Sequence, residues 1–279
     1  MRKKSVALLD IRSSEITAVV GERGVNDTFI IKSKYSCGYD GYAEGEFIDG
    51  DGFVCAVNSA VKSILASTGG IKRFYVGVPG EFLKVVNTDR VMSFQSAKKI
   101  SRGDCEFLAN MAAPAETDGY KIIRHSCLYY VLSDKRRIIN PVGTVSDSLQ
   151  GKFCFYLCKS SFADAVLKAF KRFTGIVEIN LIPLIHAEAM YLIEPEQRDE
   201  YAVLFDLGYI SSSYSVVCGN GIAFSESFSV GIGHIAVYLM NELDIPFDVA
   251  TAFLSMVNLN AKDTSGNMVE CIYDGKRYK

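Results

Sequence analysis

The chain has no cysteine pair at CxxC spacing, and its three histidines (His125, His186 and His234) show no metal-ligand spacing. Those absences leave little basis for a zinc centre or a dithiol redox site. No apolar run approaches the roughly 18–20 residues that span a bilayer. The formal charge of −2 gives no electrostatic reason to expect nucleic acid. The basic start Met-Arg-Lys-Lys leads into an apolar segment that Asp10 and Arg12 interrupt, so it does not read as a secretory signal. Eight cysteines are present, and Cys55, Cys105, Cys127, Cys154, Cys158 and Cys218 lie in apolar surroundings. They predict buried, reduced thiols and a cytoplasmic compartment. At 279 residues, 49% hydrophobic and 22% charged, the chain suits two compact domains or one large one.

A phrase occurs twice. Ser5 to Leu9 is an apolar run ending on Asp10, followed by a turn and a second run from Ile16 to Val20. Tyr201 to Phe205 ends on Asp206, followed by a Gly-containing turn and a run from Tyr214 to Val217. The two aspartates are 196 residues apart, too long a period for a solenoid. This predicts two halves on one plan, each offering a carboxylate and a turn to a shared cleft.

Around these phrases the pattern predicts strands at 29–33 and 74–78, with an amphipathic helix over 51–67 from Val54, Val57, Val61, Ile64 and Leu65. A turn is expected at Gly24 to Asp27, and Gly69-Gly70 is expected to stop the helix. Residues 79–158 change character. Short strands are predicted at 82–86 and 90–94, a helix from Ser101 with Asp104 as capping partner, and β-rich runs at 120–132 and 152–157. A helix closed at Gly175, a strand at 177–182 and a helix at 184–193 follow, then a polar run, Glu194 to Glu200, expected to be a hinge. Strands at 214–218 and 222–228 join at Gly219-Asn-Gly221, and helices are expected at 235–243 and from Pro246 to about Asn258, before a polar tail. The domains predicted are 1–78 with 159–195, an inserted α+β unit at 79–158, and a partial second unit at 196–279.

An aspartate at the end of a buried strand, before a Gly turn, suits a nucleotide with its metal. The carboxylate can hold a hydrated Mg²⁺, and turn N–H groups can cradle phosphate. Gly231-Ile-Gly233 before a helix supplies a further phosphate loop. The candidate nucleotide-binding residues are therefore Asp10, Arg12, Ser13, Ser14, Asp206, Gly208, Ser211, Ser212, Gly231 and Gly233, with Asp10 and Asp206 as Mg²⁺ ligands. No base is assignable to the serine cluster at 211–213, so no catalytic residue is named. As plain alternatives, the aspartates are strand-end turn residues, and the basic cluster Lys135-Arg-Arg137 is a solvated turn.

The order of these parts resembles the actin-like ATPase superfamily, an α/β, ribonuclease H-like two-domain fold with a small inserted α+β subdomain. Within it the chain is similar to FtsA, the bacterial cell-division protein. Leu9-Asp-Ile-Arg-Ser-Ser-Glu-Ile16 is similar to that family's DIGTSK loop, and Gly41-Tyr-Ala-Glu-Gly-Glu-Phe-Ile-Asp49 to its GIKKGxIVD. Ile139-Asn-Pro-Val-Gly143 is similar to its xNPxGM segment, and Phe205-Asp-Leu-Gly208 to the start of its DIGGGTTD loop. PilM-type pilus proteins share the fold, with less of the 41–49 and 139–143 phrases expected. The resemblance implies ATP and Mg²⁺ as cofactors, division or envelope proteins as partners, self-association, and a place at the inner face of the membrane, reached through partners or a C-terminal helix beyond this sequence. It also implies a further subdomain after residue 279.

The departures bear on function. Arg12 stands where the family has Gly, and Glu15 where it has Lys. Tyr209 and Ile210 replace two glycines, Ser213 replaces the closing Asp, and Ala250-Thr-Ala-Phe-Leu254 lacks both charges of an AExxK-like helix. A hydrogen bond to a charged group contributes about 1.5–3 kcal/mol. Losing two would cost roughly 3–6 kcal/mol, or roughly 10²–10⁴ in affinity. The expectation is a degenerate nucleotide site on an interaction scaffold. The alternative is a live ATP-binding polymerising protein in which Arg12 reaches a phosphate. A sugar-kinase-like enzyme is disfavoured for want of a base.

Overall fold

The computed structural model describes residues 5–25, 28–68, 70–115, 117–257 and 268–279. In chain order the strands are β1 (Val6–Ile11), β2 (Glu15–Arg23), β3 (Phe29–Gly38), β4 (Tyr42–Ala43), β5 (Glu46–Phe47), β6 (Arg73–Val78), β7 (Leu83–Lys99), β8 (Tyr120–Leu132), β9 (Arg137–Ile138), β10 (Val145–Lys159), β11 (Glu178–Pro183), β12 (Ala202–Leu207), β13 (Ser212–Cys218), β14 (Gly221–Phe228), β15 (Cys271–Tyr273) and β16 (Lys276–Tyr278). The helices are α1 (Gly50–Thr68), α2 (Arg102–Ala112), α3 (Ser160–Phe170), α4 (Leu184–Leu192), α5 (Pro195–Arg198), α6 (Ile232–Leu243) and α7 (Phe247–Met256).

Three sheets carry the molecule. The first runs β11-β6-β1-β2-β3, with β1 antiparallel to β2 and parallel to β6. Alternation explains its inner face: Ala7, Leu9 and Ile11 on β1 and Ile16, Ala18 and Val20 on β2 are fully buried. The apolar stripe of α1 covers that face, with Phe53, Val57, Ala60, Val61 and Ile64 in the same core. Phe47 stacks on Phe53 at 4.0 Å and on Phe82 at 5.0 Å, so the β4–β5 hairpin is tied into this core.

The second sheet, β7-β10-β8-β9, carries α2 on a core that includes Leu108, Leu149, Phe153 and Phe155. Ser101 and Asp104 form the expected capping box. The two short strands expected at 82–86 and 90–94 are one strand, β7. Pairing with β10 runs on through the polar residues between them, Asn87 to Cys154, Thr88 to Phe153 and Asp89 to Lys152.

The third sheet is β12-β13-β14. One of its faces packs on the inserted sheet and α4, through Val217, Cys218 and Ile222 against Tyr156, Ile185 and Ala189. Residues 194–200, the expected hinge, are ordered by local contacts. They hold the short helix α5, whose Arg198 is buried with its backbone carbonyl accepting from Gly219 N at 2.6 Å. The tail includes the β15–β16 hairpin. The turn expected to end at Asp27, the helix stop at Gly69, the helix end at Asn258 and the start of the tail lie outside the described residues.

All eight cysteines are free. Cys55 is exposed on α1, contrary to expectation, because it lies off that helix's apolar stripe. Burial raises the Cys154 thiol to about 11 and Cys158 to about 12, so both stay protonated at neutral pH. Among the described residues no helix is long and apolar enough to cross a membrane.

Candidate functional site

The two repeated phrases meet at one cleft because each aspartate is the second-last residue of a strand beginning a meander. Asp10 pairs in register with Thr17 on β2, and Asp206 with Ser213 on β13. The turn after β1 closes through Arg12 N to Glu15 O at 2.9 Å, which sends the Arg12 side chain into the cleft. Its guanidinium then bonds three carboxylates. Nε reaches Asp10 Oδ2 at 3.1 Å, Nη2 reaches Glu188 Oε1 at 3.0 Å, and Nη1 lies 3.4 Å from Asp206 Oδ2. One cation therefore links the first sheet, α4 and the third sheet.

Burial pulls the Arg12 pKa down, but Asp10, Glu188 and Asp206 outweigh it, so the guanidinium stays charged. Burial raises the Glu188 carboxyl, with repulsion from Asp206 and Asp10 opposed by attraction to Arg12. One positive and three negative groups leave the cleft electronegative. Glu188 was not anticipated. Its signal was a single carboxylate within the apolar helix Leu184-Ile-His-Ala-Glu-Ala-Met-Tyr-Leu.

The two loops also hold each other. Ser13 Oγ accepts from Ile210 N at 3.0 Å, and Tyr39 OH donates to Arg12 O at 2.7 Å. Gly41 passes beside the first loop at φ +89°, where a Cβ would overlap the Ser13 carbonyl oxygen. Glu81 links the 41–49 hairpin to the third sheet, accepting from Gly45 N at 2.9 Å and Ser229 Oγ at 3.0 Å.

The glycines before α6 serve packing. Ile232 N donates to Gly208 O at 2.9 Å, Gly233 N to Tyr209 O at 2.8 Å, and Gly231 N to His234 Nδ1 at 3.1 Å. A Cβ at Gly231 would overlap the carbonyl oxygen of Tyr209. The N–H groups at this helix start, expected to face phosphate, are thus satisfied by the loop beneath them. Ser212 Oγ donates to Val230 O at 2.6 Å, so it too is engaged. Arg12, Ser13, Ser14, Asp206, Gly208, Ser211 and Ser212 line one cavity of about 120 Å³, with Tyr42, Gly80 and Glu81 among its other walls. Pockets that bury a drug-sized ligand span roughly 300–1,000 Å³. Gly231 and Gly233 are not among the lining residues.

A nucleotide with its metal does not fit the residues as they stand. Arg12 occupies the centre of the carboxylates, the helix amides have partners, and the cavity is small. Among the described residues, no group of three His, Cys, Asp or Glu is spaced to hold a metal ion. One atom points the other way: Asp10 Oδ1 is buried without a hydrogen-bond partner.

No protein-family model matches the chain, and no curated protein matches it. Solved structures do. A PilM-PilN type IV pilus biogenesis complex aligns at a TM-score of 0.56 and 14% identity, over 88% of this chain and 68% of that one. The ethanolamine utilization protein EutJ from Carboxydothermus hydrogenoformans aligns at 0.51 and 12% identity, over 92% of this chain and 63% of that one. MreB5 of Spiroplasma citri bound to ADP aligns at 0.48 and 8% identity, over 99% and 70%. At such identities the likeness is one of fold, and the fold is that of the actin-like ATPases.

Proposed function

We propose that this chain, built on the actin-like fold, is a scaffold that works through protein–protein contacts and not through nucleotide turnover. In the finer reading it is FtsA-like and acts in cell division or a related envelope assembly. One observation carries the proposal: the Arg12 guanidinium bonds Asp10, Glu188 and Asp206, so the cleft has its own cation where the fold's chemistry would need an exchangeable one. The α6 amides, already paired with Gly208 and Tyr209, support it. The PilM-PilN neighbour is itself seen with a protein partner, which suits the same kind of work.

A second reading rests on Asp10 Oδ1 and on the Arg12 side chain, which is 44% exposed. An arginine so exposed can swing outward and meet a phosphate, as in a live ATP-binding polymerising protein. Pelleting at one protein concentration separates the two. The scaffold reading expects the same sedimented fraction with and without Mg-ATP. Sedimentation that appears only with Mg-ATP would replace it with the polymerising one.

A further inference from the structure

The sheet β7-β10-β8-β9 has a second face. On β10, Leu149, Phe153 and Phe155 point into the core beneath α2, so Gln150, Lys152, Cys154 and Tyr156 alternate to the opposite side. The third sheet and α4 cover that side over Cys154 and Tyr156. Beyond them, at Gln150 and Lys152, lies a pocket of about 430 Å³. Its walls all come from residues 89–152, inside a unit entered from β6 and left into α3. A bulge helps to build it. Lys152 pairs with Tyr129 and Phe153 with Cys127, so Leu128 is the extra residue on β8. Leu128 is buried against the third sheet, and Tyr129 beside it lines the pocket.

Three cations share the lining: Lys152 from β10, Lys135 from the β8–β9 turn and Arg137 from β9. The Arg137 guanidinium lies over the Tyr129 ring, 3.8 Å from its centroid. Stacking fixes the plane of the fork and presents its N–H edge for paired hydrogen bonds. The neighbouring Arg136 is held by Asp134 at 2.6 Å and is not a lining residue. Among the described residues, Lys135, Arg137 and Lys152 bond no carboxylate. Asp89 is the one acid of the lining, which leaves two positive charges unbalanced. We propose that this pocket binds a phosphate monoester in its dianionic form. Such a group carries close to two negative charges at neutral pH and three acceptor oxygens, which matches the excess charge and the three donors. A carboxylate supplies one charge and two oxygens. The ester belongs to a free small molecule or to a phosphorylated side chain of another protein, and the test separates the two.

The pocket shares no residue with the Arg12 cleft, so its failure and that of the scaffold reading are distinct. The probe is a labelled glycine-serine peptide with one phosphoserine, titrated with the full chain and followed by anisotropy. Saturable binding is expected, with none for the unphosphorylated peptide. A twin with Glu for phosphoserine should bind at least about tenfold more weakly, the loss of one charge-assisted hydrogen bond. Affinity should fall as pH drops from about 7 to about 5, through the phosphate's second ionisation near pH 6. Arg137→Lys keeps the charge but loses the fork and the stack, and should weaken binding about tenfold or more. Lys152→Ala should weaken it severalfold. Arg136→Ala removes a neighbouring, paired charge outside the pocket and should leave binding within about twofold. Displacement by free phosphoserine as readily as by unlabelled peptide assigns a small ester, and far weaker displacement assigns a phosphorylated protein. No saturable binding, equal binding of the Glu twin, or equal losses in Arg136→Ala and Arg137→Lys would overturn the proposal.

Discussion

Gly41→Ala is expected to destabilise the chain by about 3–5 kcal/mol in chemical denaturation, among the largest effects of any single substitution. Two causes add. The residue sits at φ +89°, a conformation that L side chains rarely adopt. A Cβ would also overlap the Ser13 carbonyl oxygen and come within 3.0 Å of Ile210 Cδ1. Neither neighbour yields cheaply, because Ser13 Oγ holds Ile210 N and the two move as one. The substitution therefore pushes apart the loop pair that closes the cleft. Gly50→Ala is the control. Nothing lies within 4 Å of its Cβ, and it opens α1, so the change should be neutral or stabilising by up to about 1 kcal/mol. If both substitutions cost the same, the close approach at Gly41 is not what holds the loops.

Arg12→Ala should leave Asp10, Glu188 and Asp206 facing one another without a cation. Breaking a fully buried ion pair costs about 3–5 kcal/mol, and an exposed pair contributes only about 0.2–1. With Arg12 44% exposed and three partners, a loss of about 2 kcal/mol is expected, read as a melting point roughly 4–8 °C lower. The sign with pH follows from Glu188. Its folded-state carboxyl is raised by burial first and by Asp206 next, so the folded chain binds protons more readily than the unfolded one. Such a group favours the fold at low pH and erodes it as pH rises through the folded value. Removing Arg12 takes away a pull in the opposite direction and raises that value further. The deficit of Arg12→Ala should thus be largest at neutral pH and shrink as pH falls toward the carboxyl's ordinary 4.5. Millimolar Mg²⁺, held through its own waters, should raise the variant's melting point and leave the wild type unchanged. A deficit independent of pH and Mg²⁺ would mean that Arg12 acts only by packing.

Much of the fold was legible because it rests on periodicity. The stripe Val57, Val61 and Ile64 and the Asp-ended phrases are local, and the structure places them as helix and strands. The departures from the family's phrases at Arg12, Tyr209, Ile210 and Ser213 are legible as well. Where the Arg12 side chain reaches is not. Arg12 meets Glu188 and Asp206 across 176 and 194 residues, and spacing carries no record of where a guanidinium points. Gly231 and Gly233 illustrate a different limit. A GxG before a helix suits phosphate or close packing equally, and here Gly208 and Tyr209 take up the space and the N–H groups. At 194–200 the polar run carries no sign of the short helix α5 or of the contact in which buried Arg198 donates to Gly219 O at 3.3 Å. On β12, Val203, Phe205 and Leu207 are exposed, but Ala-Val-Leu-Phe reads as a buried strand whether or not anything covers it.

The central claim is that the cleft is closed by its own cation. Calorimetric titration of Mg-ATP into the wild-type chain tests it most directly. The account expects no saturable heat up to about 1 mM nucleotide, the regime of negligible affinity. A one-to-one isotherm with a dissociation constant near about 10 µM or tighter would contradict it, because that affinity requires Arg12 to leave its three carboxylates and the α6 amides to exchange their partners for phosphate.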